Sequence, residues 1–287
     1  MNGLNNLHKS KVLLDEETGE VKYLTNKEVK MIEKSIKYHF RHQVNNDGYS
    51  NLKNFKDYIN NKCGSFYFNY YNTYEANQYI FRFMYLCTYM NYKGFIELGN
   101  SKNEKKLVSK ADLKDIFKMS EREFYNTTNY LLKNNLITIE NDKVKVNSEF
   151  CIKGEIDRKK EVIRMFDNAI RDIYLSSKPR EHKKLSLLIK ILPLIHFDTN
   201  VVCKNPEEEV VEKIQHYNLT ELAELTGYST TQRLKRGLMD LRVNNEAVIM
   251  IAKINNKEMI VVNPKVYYKG NDLEKIQGII NIFEIAK

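Results

Sequence analysis

The run Ser229-Thr230-Thr231-Gln232-Arg233-Leu234-Lys235-Arg236-Gly237-Leu238-Met239-Asp240-Leu241 decides the fold. Leu234, Leu238 and Leu241 recur at helical spacing and turn inward, which predicts a helix capped by Ser229 and running through Val243. Helical geometry then places Gln232 and Arg236 on the outer face, with Arg233 and Lys235 on its flanks. Thr230 and Thr231 fall in the first turn, where hydroxyls and free backbone N–H groups can meet phosphate. Gln and Arg are the side chains that make paired hydrogen bonds to adenine and guanine edges. Without a ligand, the same face reads as an ordinary solvated helix surface.

The surroundings of this run give it a context. Asn218–Thr226 reads as a short helix with Leu219, Leu222 and Leu225 inside, and Gly227-Tyr228 as the turn that follows it. Ala247–Lys253 and Glu258–Asn263 alternate as strands around Asn255-Asn256-Lys257. An apolar helix with Leu185, Leu188, Ile189, Leu192 and Ile195 precedes them, interrupted only by Pro193. Helix, short helix, tight turn, longer helix, hairpin is the order of a winged helix-turn-helix.

The order also occurs upstream. An apolar helix begins at Tyr79, Ser109 caps Lys110–Lys118, and Ser120 caps a helix from Glu121 to about Asn135. Leu136–Glu140 and Val144–Asn147 then form a hairpin. Leu113, Ile116 and Ser120 superpose on Leu222, Leu225 and Ser229 at an offset of 109, and Val146-Asn147 on Val262-Asn263 at 116. We therefore expect a mainly α protein with small β-hairpins, built of two tandem winged helix-turn-helix domains joined by a helix. Residues 1–75 form an N-terminal extension, 76–154 the first domain, 155–182 a linker helix, and 183–287 the second domain with its C-terminal helix. In the extension, Thr25 opens a helical pattern (Val29, Ile32, Ile36, Phe40), and Phe66–Tyr71 is an aromatic strand or buried patch. Glu155–Leu175 reads as one amphipathic helix through Ile156, Ile163, Phe166, Ile170 and Ile173.

Composition narrows the functions. The chain has 287 residues, 46 Lys+Arg against 37 Asp+Glu, a net charge of +9, and 42% hydrophobic residues, enough for a real core. It has no run of eighteen apolar residues and no apolar stretch at its N-terminus, so neither a membrane helix nor a signal peptide is expected. Four scattered cysteines argue against a zinc knuckle or a disulfide framework and for a reduced, cytoplasmic location. No phosphate-binding loop, Gly-x-Ser-x-Gly or His-Glu-x-x-His is present, and His39-Phe40-Arg41-His42 lacks the His-apolar-His pattern of a metal site feeding a nicking tyrosine. No enzyme activity, catalytic residue, cofactor or metal is expected.

From Ser229 to Lys269, eight Lys/Arg stand against three Asp/Glu, a local net of +5. The candidate DNA-binding residues are Ser229, Thr230, Thr231, Gln232, Arg233, Lys235 and Arg236, with Lys253, Asn256 and Lys257 at the wing. The first unit offers Arg122, Tyr125, Asn126, Asn129 and Lys133 on its helix and Lys143 on its wing. Glu121 and Glu123 in the first turn of that helix suit the helix dipole but repel phosphate. The first unit therefore reads as a weaker DNA contact or a dimerisation element.

The chain resembles the replication initiator and maintenance proteins of plasmids and phages from AT-rich Gram-positive bacteria. Three stretches carry the resemblance: Asp15-Glu16-Glu17-Thr18-Gly19-Glu20-Val21, the helix Phe81–Asn91 ahead of Ser109–Asn135 with Leu136-Ile137 opening the wing, and Val262-Asn263-Pro264-Lys265-Val266-Tyr267-Tyr268-Lys269-Gly270-Asn271. They cover mainly residues 80–154 and 183–271. The resemblance implies double-stranded DNA as the partner, winged helices on repeated origin sites, and a homodimer and host replication proteins as further partners. A transcriptional regulator would use the same fold. A protein-interaction module is the reading that needs no DNA.

Overall fold

The computed structural model describes residues 12–14, 21–23, 48–70, 76–99, 104–156, 162–243, 246–254, 257–270 and 272–285. Among these the chain is mixed rather than mainly α, with 45% helix and 22% strand in small antiparallel sheets. The elements are β1 (Val12–Leu14), β2 (Val21–Tyr23), α1 (Gly48–Lys62), β3 (Phe66–Tyr70), α2 (Gln78–Cys87), β4 (Glu97–Leu98), β5 (Lys106–Leu107), α3 (Leu113–Phe117) and α4 (Glu121–Lys133). They continue as β6 (Ile137–Glu140), β7 (Lys143–Val146), β8 (Cys151–Ile152), β9 (Val162–Phe166), α5 (Asp167–Ser176), α6 (His182–Ile191), α7 (Leu219–Thr226) and α8 (Thr231–Met239). The chain then closes through β10 (Arg242–Val243), β11 (Glu246–Ala247), β12 (Ile249–Ile254), β13 (Lys257–Val262) and α9 (Leu273–Ile285). The helix expected after Thr25 and the stretch Asp15–Glu20 lie outside the described residues.

Two units repeat each other hydrogen bond for hydrogen bond. In the first, the N–H of Ile96 donates to Val144 and that of Val146 to Gly94; in the second, Val202 donates to Ile260 and Val262 to Asn200. Phe150 and Cys151 both donate to the carbonyl of Asn147, as Val266 and Tyr267 do to that of Asn263. The side chains of Asn147 and Asn263 match as well. Each Nδ2 donates to a carbonyl at the start of its hairpin (Asn135, Ala247), and each Oδ1 accepts the N–H two residues on. The left-handed residues that end the short helices also correspond: Lys118 at φ 49° and Gly227 at φ 79°.

A small sheet joins the two units. β3 pairs along its whole length with β9, from Phe66 opposite Phe166 to Tyr70 opposite Val162, and β8 pairs on its other side. Tyr267, the counterpart of Cys151, bridges to Met165 on β9. The exit of each unit therefore flanks the same central strand pair. Arg164 on β9 reaches the carbonyl of Gly270 at 3.0 Å and lies over the rings of Phe55 and Phe66.

The single helix expected over Glu155–Leu175 does not form: Val162–Phe166 is a strand, and a helix starts only at Asp167. Spaced apolar residues here fit both periods, and the β-branched Val162-Ile163 find a five-residue partner in the aromatic strand Phe66–Tyr70. Two other expectations shift. The helix expected at Lys110–Lys118 is shorter, Leu113–Phe117, because Asp112 accepts from both the N–H and the hydroxyl of Ser109 at 2.8 Å and holds residues 109–112 as a turn. Leu225 is exposed rather than inside, since Leu219, Leu222, Ala223 and Thr226 already make the i, i+3, i+4, i+7 face of α7.

Helix α2 packs against α6 at the centre of the molecule. At their junction Arg82 is fully buried and donates to His182 Nδ1 (3.1 Å), Thr127 Oγ1 (2.8 Å) and the Pro179 carbonyl (3.3 Å), with Glu123 Oε2 at 2.8 Å. Tyr174 stacks on Tyr85 and donates to the Phe117 carbonyl at 2.8 Å. Burial, and then the Arg82 charge, pull the His182 imidazole down to about 4. The folded state thus resists a proton that the unfolded chain takes up near pH 6.5, so stability is full above that value and falls as the pH drops toward 4. We expect this loss to reach about 2–3 kcal/mol. Urea unfolding at a series of pH values checks it: His182→Gln should unfold with a shallower pH dependence than the parent chain across this window.

Candidate nucleic-acid interface

The second unit presents α8 through well-defined ends. Asn218 caps α7 in a reciprocal box with Glu221, Gly227 ends that helix in the left-handed conformation, and the N–H of Tyr228 returns to Ala223 at 2.8 Å. Thr230, not Ser229, is the N-cap of α8: its hydroxyl accepts the N–H of Arg233 at 3.2 Å from an extended backbone. Ser229 holds the helix in another way, its Oγ accepting from Arg233 Nη1 at 2.9 Å. The helix expected to run through Val243 ends at Met239, because Arg242–Val243 pairs as a strand with Glu246–Ala247; Leu234, Gly237 and Leu238 are buried, and Leu241 just beyond the helix is buried too. Gly237 meets α6 so closely that an added methyl would lie 3.3 Å from Leu187 Cδ2 and 3.0 Å from the Tyr228 hydroxyl.

With the leucines inward, Gln232, Arg233 and Arg236 are exposed, as are Ser229 and Thr230 at the entry, while Thr231 and Lys235 are half-exposed. Lys253 is exposed on β12. Lys257 is the first residue of β13, but its side chain and the whole of Asn256 lie outside the described set.

The first unit presents α4 in the same way. Ser120 caps it by accepting from Glu123, and Thr127, Thr128 and Leu131 face inward. Arg122, Tyr125, Asn129 and Lys133 are exposed in one stripe, with Asn126 and, on β7, Lys143 half-buried. The tip of the β6–β7 hairpin is a two-residue turn with Asn141 at φ 48° and Asp142 at φ 62°.

The two glutamates of α4 are less obstructive than their sequence positions suggest. Glu123 turns toward the buried Arg82, and Glu121 pairs with Lys114. Lys145, Lys153, Lys204, Lys265, Lys269 and Lys275 each hold a carboxylate. Arg122, Lys133, Arg233, Lys235 and Arg236 make no ion pair among the described residues. The positive charge on the two outward helix faces is therefore available to an external anion.

Sequence reasoning missed Arg82. The signal was present, because a lone arginine in Ile80-Phe81-Arg82-Phe83-Met84-Tyr85-Leu86-Cys87 must find acceptors in the core. No protein-family model matches the chain, and neither a curated protein nor a solved structure matches it. Among the described residues no helix is long and apolar enough to cross a membrane, and all four cysteines are buried.

Thr230→Ala should lower stability by about 1 kcal/mol through the lost cap. Ser229→Ala should cost less, since it removes only a side-chain contact at the surface. Paired chemical-denaturation curves of the two variants test that order.

Proposed function

We propose that this chain is a sequence-specific double-stranded DNA-binding protein in which both units are winged helix-turn-helix modules and α8 is the principal reading helix. The observation that supports it most is the outer face of α8. Gln232 stands exposed there beside Arg233 and Arg236, two exposed arginines that make no ion pair among the described residues. Such a helix docks in the major groove with its N-terminal residues toward the bases. Thr230 and Thr231 then lie beside phosphate at the positive end of the helix. The wing brings Lys253 to the neighbouring backbone. The stripe Arg122–Lys133 on α4 offers a second contact, its nearby acids already paired within the protein.

Resemblance to plasmid and phage replication initiators makes binding at a repeated origin site, in the cytoplasm, the role we assign. A repressor acting through the same helices differs only in where its site lies. A protein-interaction role draws on the exposure of Tyr125 and Leu225, at 66% and 55%.

Fragments of the host element's own DNA, selected on the protein and retested by mobility shift, provide the test. We expect affinity to fall steeply between low and physiological salt, as counterion release from phosphate requires. Arg236→Ala should weaken binding to the selected site by about 1–3 kcal/mol. Equal affinity in parent and variant would remove Arg236 from the readout, and no salt-sensitive shift on any duplex would favour the protein-interaction role.

A further inference from the structure

We propose that Arg82 is a positioning residue that fixes the separation and tilt of α4 relative to α8, so that the protein selects the spacing between two half-sites on DNA. This rests on the reading of α4 and α8 as DNA-contacting helices and adds what sets their relation.

The geometry is a two-link chain. The first link is the guanidinium. Its Nη groups grip Glu123 and Thr127, which lie one turn apart on the face of α4 roughly opposite the exposed stripe of Arg122, Tyr125 and Asn129. The Nε of the same group is on His182 Nδ1, and Nη2 also reaches the Pro179 carbonyl, both at the start of α6. A planar fork with fixed donor directions dictates rotation as well as distance, which a lysine ammonium does not. The second link is α6 itself. One and a half turns beyond His182, Leu187 packs where Gly237 lets α8 come close. Each reading helix is thus held on its inner side by the same short path, α4–Arg82–α6–α8.

The burial of Arg82 fits this role. A charge withdrawn from water and surrounded by acceptors from two segments, α4 and the start of α6, tolerates little change in their arrangement, because any shift leaves an acceptor or the charge unpaired. Apolar packing between α2 and α6 holds the helices together but admits small rotations more readily than a fork does.

The experiment uses the full chain and duplexes carrying both half-sites recovered by selection, one for α4 and one for α8, with spacers lengthened or shortened in single base-pair steps. A duplex with one half-site serves as reference. The variants are Arg82→Lys, Arg82→Met and Thr127→Val, the last removing one acceptor from α4 while preserving its shape. Circular dichroism identifies those that fold, and Thr127→Val carries the test if the arginine variants do not. We expect the parent chain to favour one spacing by about tenfold over spacings about two base pairs away. The variants should flatten that preference to below about threefold, with affinity for the single half-site within about twofold of the parent. A parent-like spacing profile in the folded variants overturns the proposal. So does an equal loss on single and double sites, which marks a merely structural role. A parent chain indifferent to spacing also overturns it while leaving the reading by α8 intact. A parent chain that shifts no duplex ends both.

Discussion

A guanidinium buried away from water must find its acceptors inside the protein, and Arg82 finds them on two segments distant in sequence, α4 and the start of α6. The energetic asymmetry matters here. A satisfied buried ion contributes little net stability, whereas an unsatisfied one costs several kcal/mol. The arrangement around Arg82 is therefore close to all-or-none. His182 has to be neutral to accept from Nε, Thr127 has to turn its oxygen inward, and the chain at Pro179 has to approach α2. The aromatic group of Phe81, Tyr85, Tyr174 and His182 packs beside the charge and excludes water from it.

Around that point the molecule is built twice. The helices α3–α4 and α7–α8 pack on α2 and α6, and each unit leaves its hairpin through an asparagine that ties the exit to the start of that hairpin. The two copies differ where the surface matters. The second has a longer hairpin and a short helix face rich in arginine. The first has a longer helix whose acids are neutralised within the protein. One scaffold thus carries two chemically distinct outward faces.

Much of this was legible from local pattern. The inward leucines of α8, the cap at Ser120 and the hairpin ends are signals complete within a dozen residues, and the sequence alone placed them within a residue or two, although it carried α8 four residues too far, to Val243. Errors arose where two local answers were equally good or where the partner was distant. Val162–Phe166 has apolar spacing acceptable to either helix or strand, and only the strand at Phe66–Tyr70, about a hundred residues earlier, decides it. Ser229 and Thr230 are both sound caps, and backbone direction selects the second. Leu225 looked internal by analogy with Ile116, but α7 already had a full inner face without it. Arg82 and His182 lie a hundred positions apart, and nothing in either neighbourhood names the other.

The central strand pair has a consequence for anyone dividing the protein. β3 and β9 meet along five residues each, and each carries the exit of one unit on its outer side. Cutting the chain between the halves would strip a partner from one of these ribbons and bare a row of amide and carbonyl groups flanked by aromatic rings. Such an edge recruits whatever strand it meets. Isolated halves should therefore clump on release from the ribosome, and expression trials are better served by shortening the ends than by splitting the middle.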